Sequence, residues 1–447
     1  MPANEIIIAC FVLIAGIVAA IMACVPGLHA YNTLALLVVG ASALADMGTH
    51  LPGEILAATM TSVVVVYAIV SVVPTILISA PDESGALAVL PGQEYMIQGR
   101  GLHAVGLMLI GGAVAIAVLI AGSPFAFLIL SPVQAAFKGH THWVLWCTIC
   151  FMLMSEWPRE GRLGQGGWTK FLEAWRVLAS GIGVFLLSGF LGFILLYRSP
   201  IAADMSFQNI MPAFVGMFAM PWLVLNTLSA GDMPSQSTQC ERISGMDIGA
   251  LFKGAAAGVM GGTFAAFFPV ITGGIGGLMA GHATSLRDSR SFLVSQGAAR
   301  VAYYAGGLLF FAVPGTQMTR GGAAWMLRTL YEPLSVRDYW IVVASIAGAG
   351  AVAITSAIPA AKIMLYLIAR YGHRRISFVS LLIVIGIVFA LTGMAGLAVA
   401  IVGMCIGFVP VLNGSRRMNC LGVILLPMAC NMSGIGPAVA GTLGLLN

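Results

Sequence analysis

Long apolar runs, almost free of charge, recur along the chain at 6–25, 55–78, 102–121, 177–197, 210–229, 254–270, 339–358, 376–393 and 395–412. Each comes close to the roughly 20 residues that a helix needs to cross the hydrocarbon core of a bilayer. Shorter apolar runs at 34–45, 124–137, 142–155, 293–313 and 418–446 add further candidates. A backbone in lipid must satisfy its own hydrogen bonds, so the pattern predicts an all-α polytopic membrane protein with roughly ten to twelve transmembrane helices. The polar stretches between the runs are too short for a soluble domain. The whole chain is therefore expected in a cell membrane, the cytoplasmic or inner one, crossing it many times.

Composition sharpens this picture. Of 447 residues, 59% are hydrophobic and only 8% are charged, against roughly 25% charged in a soluble domain. That balance excludes a cytosolic enzyme, a secreted disulfide scaffold and a disordered chain. The net charge of +5 follows the positive-inside bias of membrane proteins. Arg159, Arg162, Lys170 and Arg176 share one polar connection, and Arg370, His373, Arg374 and Arg375 another, both expected on the cytoplasmic side. These residues lie between apolar spans and not along a solvated face, so no nucleic-acid partner is expected. Cys147 and Cys150 form an isolated C-x-x-C in an apolar run, and His140 and His142 lack further ligands nearby, so both pairs read as packing residues. With Glu5 and no Lys or Arg before the first apolar run, residues 5–25 are expected to be a retained first helix and not a cleaved signal.

Glycine is abundant, at 55 residues, and with proline it interrupts the apolar runs in a repeated order. A helix stops at Pro26-Gly27, followed by His29, Asn32 and Thr33; the same event recurs at Pro269, followed by Thr272, Gly273 and Gly274. A second kind of break follows each: Pro81 to Ala86, with Asp82, Glu83 and Ser84, and Pro314 to Ala324, with Thr316 and Arg320. Corresponding breaks lie about 240 positions apart, and paired interruptions at matching places in two halves point to a binding site in transporters. The expected organisation is two pseudo-symmetric halves with broken or re-entrant helices, 1–231 and 248–447, joined by a polar connector at 232–247 that carries Gln236, Ser237, Gln239, Glu241 and Arg242.

A helix that ends inside the bilayer offers free N–H groups and the positive end of its dipole to an anion. The candidate substrate-binding residues are therefore Pro26, Gly27, His29, Asn32, Thr33, Thr272, Gly273, Gly274, Thr316 and Arg320. Arg320 would meet a carboxylate or phosphate through its planar fork. Asp82, Glu83 and Ser84 form the candidate ion-coupling group. Two carboxylates facing lipid would each cost about 2.5–3.5 kcal/mol, so Asp82 and Glu83 must face a polar cavity, a partner charge or the interface. A carboxylate does not hold an anion directly, which leaves a sodium ion or a proton as its natural partner. No nucleotide-binding or hydrolase motif occurs, and neither an enzyme nor a cofactor beyond that coupling ion is expected.

At these residues the chain resembles the large membrane subunit of the tripartite tricarboxylate transporter family, TctA, especially its archaeal-type branch. Four stretches carry the resemblance: Pro26 to Thr33; Ala80-Pro81-Asp82-Glu83 through Leu90-Pro91-Gly92-Gln93 to Gly99-Arg100-Gly101; Arg287 to Leu293; and Gly414 to Pro427 with Asn419-Cys420-Leu421-Gly422. Two positions depart from the bacterial pattern. Val270 follows Pro269 where those members place glycine, and His29 stands where many have glycine.

The resemblance implies a secondary active permease of two related halves that moves small organic anions, di- or tricarboxylates, by alternating access coupled to Na+ or H+. It also implies a small membrane subunit and an extracytoplasmic solute-binding protein as partners in bacterial systems, besides the membrane lipids. Two other readings of the same breaks remain at this stage: a polyprenyl-phosphate carrier-lipid translocase and a non-transporting membrane scaffold.

Overall fold

A computed structural model describes residues 2–26, 28–156, 166–202, 209–229, 234–239, 247–285, 288–316 and 318–446, and every regular element among them is helical. The chain runs α1 (Pro2–Ala23), α2 (Ala30–Asp46), α3 (Gly53–Val70), α4 (Val72–Leu77), α5 (Val89–Ile97), α6 (Gly101–Phe137), α7 (Thr141–Met154), α8 (Gly167–Tyr197), α9 (Met211–Phe214) and α10 (Met220–Leu228). It continues through α11 (Ile248–Phe267), α12 (Gly273–Ala283), α13 (Ser289–Ala312), α14 (Gly321–Leu330), α15 (Val336–Tyr371), α16 (His373–Asn413), α17 (Gly422–Met432) and α18 (Gly436–Thr442). A π-helical turn at Val215–Ala219 joins α9 to α10. Gly27, Arg159, Arg162, Glu241, Arg242 and Arg287 lie outside the described residues.

Among the described residues, eight helices are long and apolar enough to cross a membrane, or nine if the bent pair at Arg417–Met432 and Gly436–Thr442 forms one span. The apolar pattern predicts more, for physical reasons visible in three helices. α6 continues through Pro124 and Pro132 and joins two predicted runs into 37 residues. α16 joins the runs 376–393 and 395–412 into 41 residues, which as straight helix would be about 60 Å long. Gly393, at φ 63° and ψ −160°, bends it at the boundary that the apolar pattern marks. α13 has 24 residues, but Gln296, Arg300 and its serines dilute its apolar character.

The chain packs as two compact units, each discontinuous in sequence. Unit 1 joins Met1–Ala136 to Asn226–Ser380, and unit 2 joins Phe137–Leu225 to Leu381–Asn447. Each unit thus takes one piece from either side of residue 225, close to where the polar connector begins. Within the connector, the Gln236 side chain accepts from the Gly101 N–H at 3.1 Å and donates to the Met96 carbonyl at 2.8 Å, both in unit 1.

Unit 1 repeats an order of elements. α1, a break, α2, α3–α4, a break, α5 and α6 are echoed by α11, a break, α12, α13, a break, α14 and α15. α1 and α11 have 22 and 20 residues, and α6 and α15 have 37 and 36. α13 runs through the middle, buried along nearly its whole length, against α3, α11, α12 and α15. Membrane helices associate through small residues that let backbones approach. Along α11, a Cβ on Gly258 would stand 2.2 Å from the Ser295 carbonyl oxygen, and one on Gly262 2.3 Å from that of Ala299.

Unit 2 holds a polar core of its own. Arg417 is 8% exposed and donates to the carbonyls of Met217, at 3.2 Å, and Phe218, both in the π-helical turn. Glu156 accepts from the Arg416 N–H at 2.6 Å and from the Asn419 side chain at 3.1 Å.

Candidate functional site

All four interruptions lie in unit 1, and each ends in a helix N-terminus or a buried turn. The first ends at His29, the residue before α2. Its side chain accepts the Tyr31 N–H through Nδ1 at 3.1 Å and so serves as the N-cap. The second ends at Thr272, which precedes α12 but makes no side-chain cap bond. The third, residues 78–85, is buried almost throughout, which places it in the protein interior and not in a surface loop. The fourth ends at Arg320, directly before α14.

The turn of the third break carries Asp82 and Glu83 into a closed ion network. Arg300, fully buried on α13, donates to Asp82 through Nη2, and the same nitrogen lies 2.7 Å from the Ser71 hydroxyl. The other Asp82 oxygen accepts the Gly85 N–H at 2.7 Å. Glu83 lies 2.9 Å from His29 Nε2, with both side chains buried. The Tyr304 hydroxyl links the two pairs, at 3.0 Å from Glu83, 3.2 Å from Asp82 and 3.2 Å from His29 Nε2. The rings of Tyr67 and Tyr304 flank the guanidinium, with centroids 5.7 and 5.9 Å away.

His29, Asp82 and Glu83 bring ligand atoms within 4.8 Å of one another, a spacing that a metal ion would also need. Those atoms are committed to Arg300, to the imidazole N–H and to Tyr304, and a guanidinium beside Asp82 repels a second cation. The group therefore fits an internally paired ion network and does not fit a metal.

Beside the network lies a narrow cleft lined by Tyr31, Tyr303, Tyr304, Arg320 and Gly321. Its free volume is about 10 Å³, room for a single water at most. The Tyr31 ring lies against Gly322, where a Cβ would meet it at 3.0 Å. Gly321 has φ 75°, a backbone that glycine adopts without the clash another residue would suffer. Arg320 Nε is buried there without a partner. The cleft thus combines a guanidinium, a helix N-terminus and tyrosine hydroxyls, a set suited to a small oxyanion.

The remaining residues expected at the site distribute as follows. Pro26 is buried, and Asn32 and Thr33 sit in the first turn of α2, Asn32 with no partner for its amide. Gly273 and Gly274 open α12, and a Cβ on Gly274 would stand 2.9 Å from the Ser84 carbonyl oxygen, so the second and third breaks touch. Ser84 and Thr272 are buried with unpartnered hydroxyls. Thr316 bonds the Val313 carbonyl at 3.0 Å and closes its own turn. His29, grouped by sequence with the anion-binding residues, is hydrogen-bonded to Glu83.

Sequence reasoning passed over Arg300, Tyr304, Tyr31, Tyr303 and Tyr67. Arg300 was open to discovery as the one charge in the apolar run 293–313, since an ionisable residue inside a span is a functional candidate by default. The tyrosines carry no such mark, because aromatic residues in apolar helices are ordinary packing.

Broken helices that meet at a buried ion network, in a chain whose described residues hold eight helices long and apolar enough to cross a membrane, mark a polytopic membrane protein. The chain belongs to the Tripartite tricarboxylate transporter TctA family, which matches residues 9–422. It is similar to Uncharacterized protein MJ1079 of Methanocaldococcus jannaschii, at 24% identity over 374 residues, which is 82% of this chain and 86% of that protein. No solved structure matches it significantly.

Proposed function

We propose that this protein is a secondary active permease that moves small organic anions, di- or tricarboxylates, across the cytoplasmic membrane by alternating access driven by a cation gradient. The observation that carries this reading is the cleft itself. Arg320, the α14 N-terminus and the hydroxyls of Tyr31 and Tyr303 face one space beside a buried acidic network. The anion binds against Arg320 and the N-termini of the broken helices, with α12 contributing Thr272, Gly273 and Gly274. The buried network that holds Asp82 and Glu83 carries the coupling, and with Arg300 against Asp82 its one unbalanced carboxylate favours a proton over a metal cation. With so little free volume, the cleft must widen to admit substrate, as a gated site requires.

The echo of elements in unit 1 supports a duplicated chain in which each half lends its first part to unit 1 and its later part to unit 2. Membership of a tripartite family supports a small membrane subunit and a solute-binding protein as partners.

The test is uptake of labelled di- and tricarboxylates into proteoliposomes under imposed ion gradients, with and without the two partner subunits. Arg320→Ala removes a charge-assisted contact of about 1.5–3 kcal/mol and is expected to cut uptake at least tenfold while the protein stays folded. Uptake indifferent to Arg320→Ala, or to every gradient, overturns the reading.

A further inference from the structure

We propose that His29 is the proton-binding site of the buried network, and that a proton there unhooks the N-terminus of α2 and frees Tyr31 from the cleft. This names the coupling ion of the permease and rests on that reading for its role in transport. The chemistry at His29 stands by itself.

A neutral imidazole has one N–H donor and one acceptor nitrogen. Nδ1 faces the Tyr31 N–H at 3.1 Å, and a backbone N–H can only donate, so Nδ1 carries the lone pair. The imidazole proton is therefore on Nε2, where it is given to Glu83 at 2.9 Å. Every element around the ring is accounted for. Tyr31 of α2 has its ring centroid at 4.4 Å, Tyr67 of α3 at 5.6 Å and Tyr304 of α13 at 6.3 Å. Glu83 and Asp82 come from the third break, and Arg300 comes from α13.

The charges leave one vacancy. Arg300 balances Asp82, whereas Glu83 has only a neutral imidazole and a phenol as side-chain partners. One added proton makes the buried cluster neutral. On His29 it must go to Nδ1, because Nε2 is already protonated. A new Nδ1–H bond forms, the Tyr31 N–H···Nδ1 hydrogen bond breaks because two donors now face each other, and the ring gains one positive charge. Tyr31 is the residue whose ring lies on Gly322 in the cleft, so loss of the cap acts on the cleft wall directly. The imidazolium and the released N–H both favour a nearby anion, and by linkage an anion in the cleft strengthens proton binding in equal measure.

The test begins without any transported ligand. The whole chain, with ¹⁵N-labelled histidine rings and tyrosine amides, is titrated in nanodiscs by NMR, and His29→Asn assigns the His29 signals. Asparagine also accepts a cap bond, so that variant keeps α2 in place. At alkaline pH the ring is expected as the Nε2–H tautomer. On acidification it becomes imidazolium, and the Tyr31 amide shifts and loses exchange protection in the same step. An Nδ1–H tautomer, a ring that stays neutral down to pH 5, or an imidazolium with an unchanged Tyr31 amide each overturns the proposal.

Proteoliposomes then ask whether the proton is used. With labelled citrate as probe, His29→Asn, shown to be folded by its remaining NMR signals, is expected to lose accumulation driven by a pH gradient. If the native chain moves no citrate, the permease reading loses its support for that anion, while the NMR result still decides the fate of His29. Accumulation by His29→Asn equal to that of the native chain rejects His29 as the coupling site.

Discussion

Arg300 and Asp82 show how much rests on single side chains here. Their charged groups are 0% and 4% exposed, and removing one member of a buried ion pair costs about 3–5 kcal/mol because the other is left uncompensated. Asp82→Asn and Arg300→Met are each expected to lower the melting temperature of the solubilised protein sharply. The double variant recovers part of the loss, and strict additivity of the two would argue against the pair. Val270 is the second instructive residue. It has φ 55°, a left-handed backbone that costs a non-glycine residue about 1–2 kcal/mol. Val270→Gly is therefore expected to be neutral or stabilising in a thermal melt, opposite in sign to a glycine placed in a regular helix. The Pro269 break was readable from the chain alone. The strain at Val270 was not, because φ is set by what the turn must join.

At the scale of elements, the helix N-termini carry the argument. α13 starts with Asp288 as N-cap, its carboxylate accepting the Ser291 N–H at 2.8 Å. Partial burial alone would raise its pKa, but the hydrogen bonds from Ser291 outweigh this and hold the group below its ordinary value. A carboxyl whose folded pKa is depressed stabilises the fold above its unfolded pKa, and the contribution is lost as pH falls through the folded value. Asp288→Ala is expected to cost about 1 kcal/mol near neutral pH. Melts followed from pH 7 into the acid range are expected to bring variant and parent together, and a constant gap would contradict the cap. α2 uses a histidine for the same task, and there an added proton puts a donor where the cap needs an acceptor. The positions of the broken helices were legible in the sequence, since proline, glycine and the return of polar residues act locally. That α6 continues through Pro124 was not, because the Ile120 carbonyl that proline leaves without a donor accepts the Ser123 hydroxyl at 2.8 Å, a side-chain bond that local propensity does not count.

For the whole molecule, the two discontinuous units make a direct prediction. α3 packs against α13 and α15, so unit 1 requires segments from both sides of the connector. Residues 1–231 expressed alone are expected to give an aggregated or unstable product. Coexpression with 248–447 is expected to restore a monodisperse particle by size-exclusion chromatography, and a well-folded isolated half would show that the units are wrongly drawn. The sequence by itself determined the all-helical membrane class, the approximate spans, the four breaks and the presence of acids that need company. These follow from hydropathy and backbone chemistry, which act over a turn or two of helix. Only the tertiary structure decided the company: Arg300 for Asp82 across 218 positions, and Tyr304 for His29 across 275. It also set the His29 ring against Glu83. Burial without water forces each charge to find a counter-charge or a donor, and which one it finds depends on how distant helices pack.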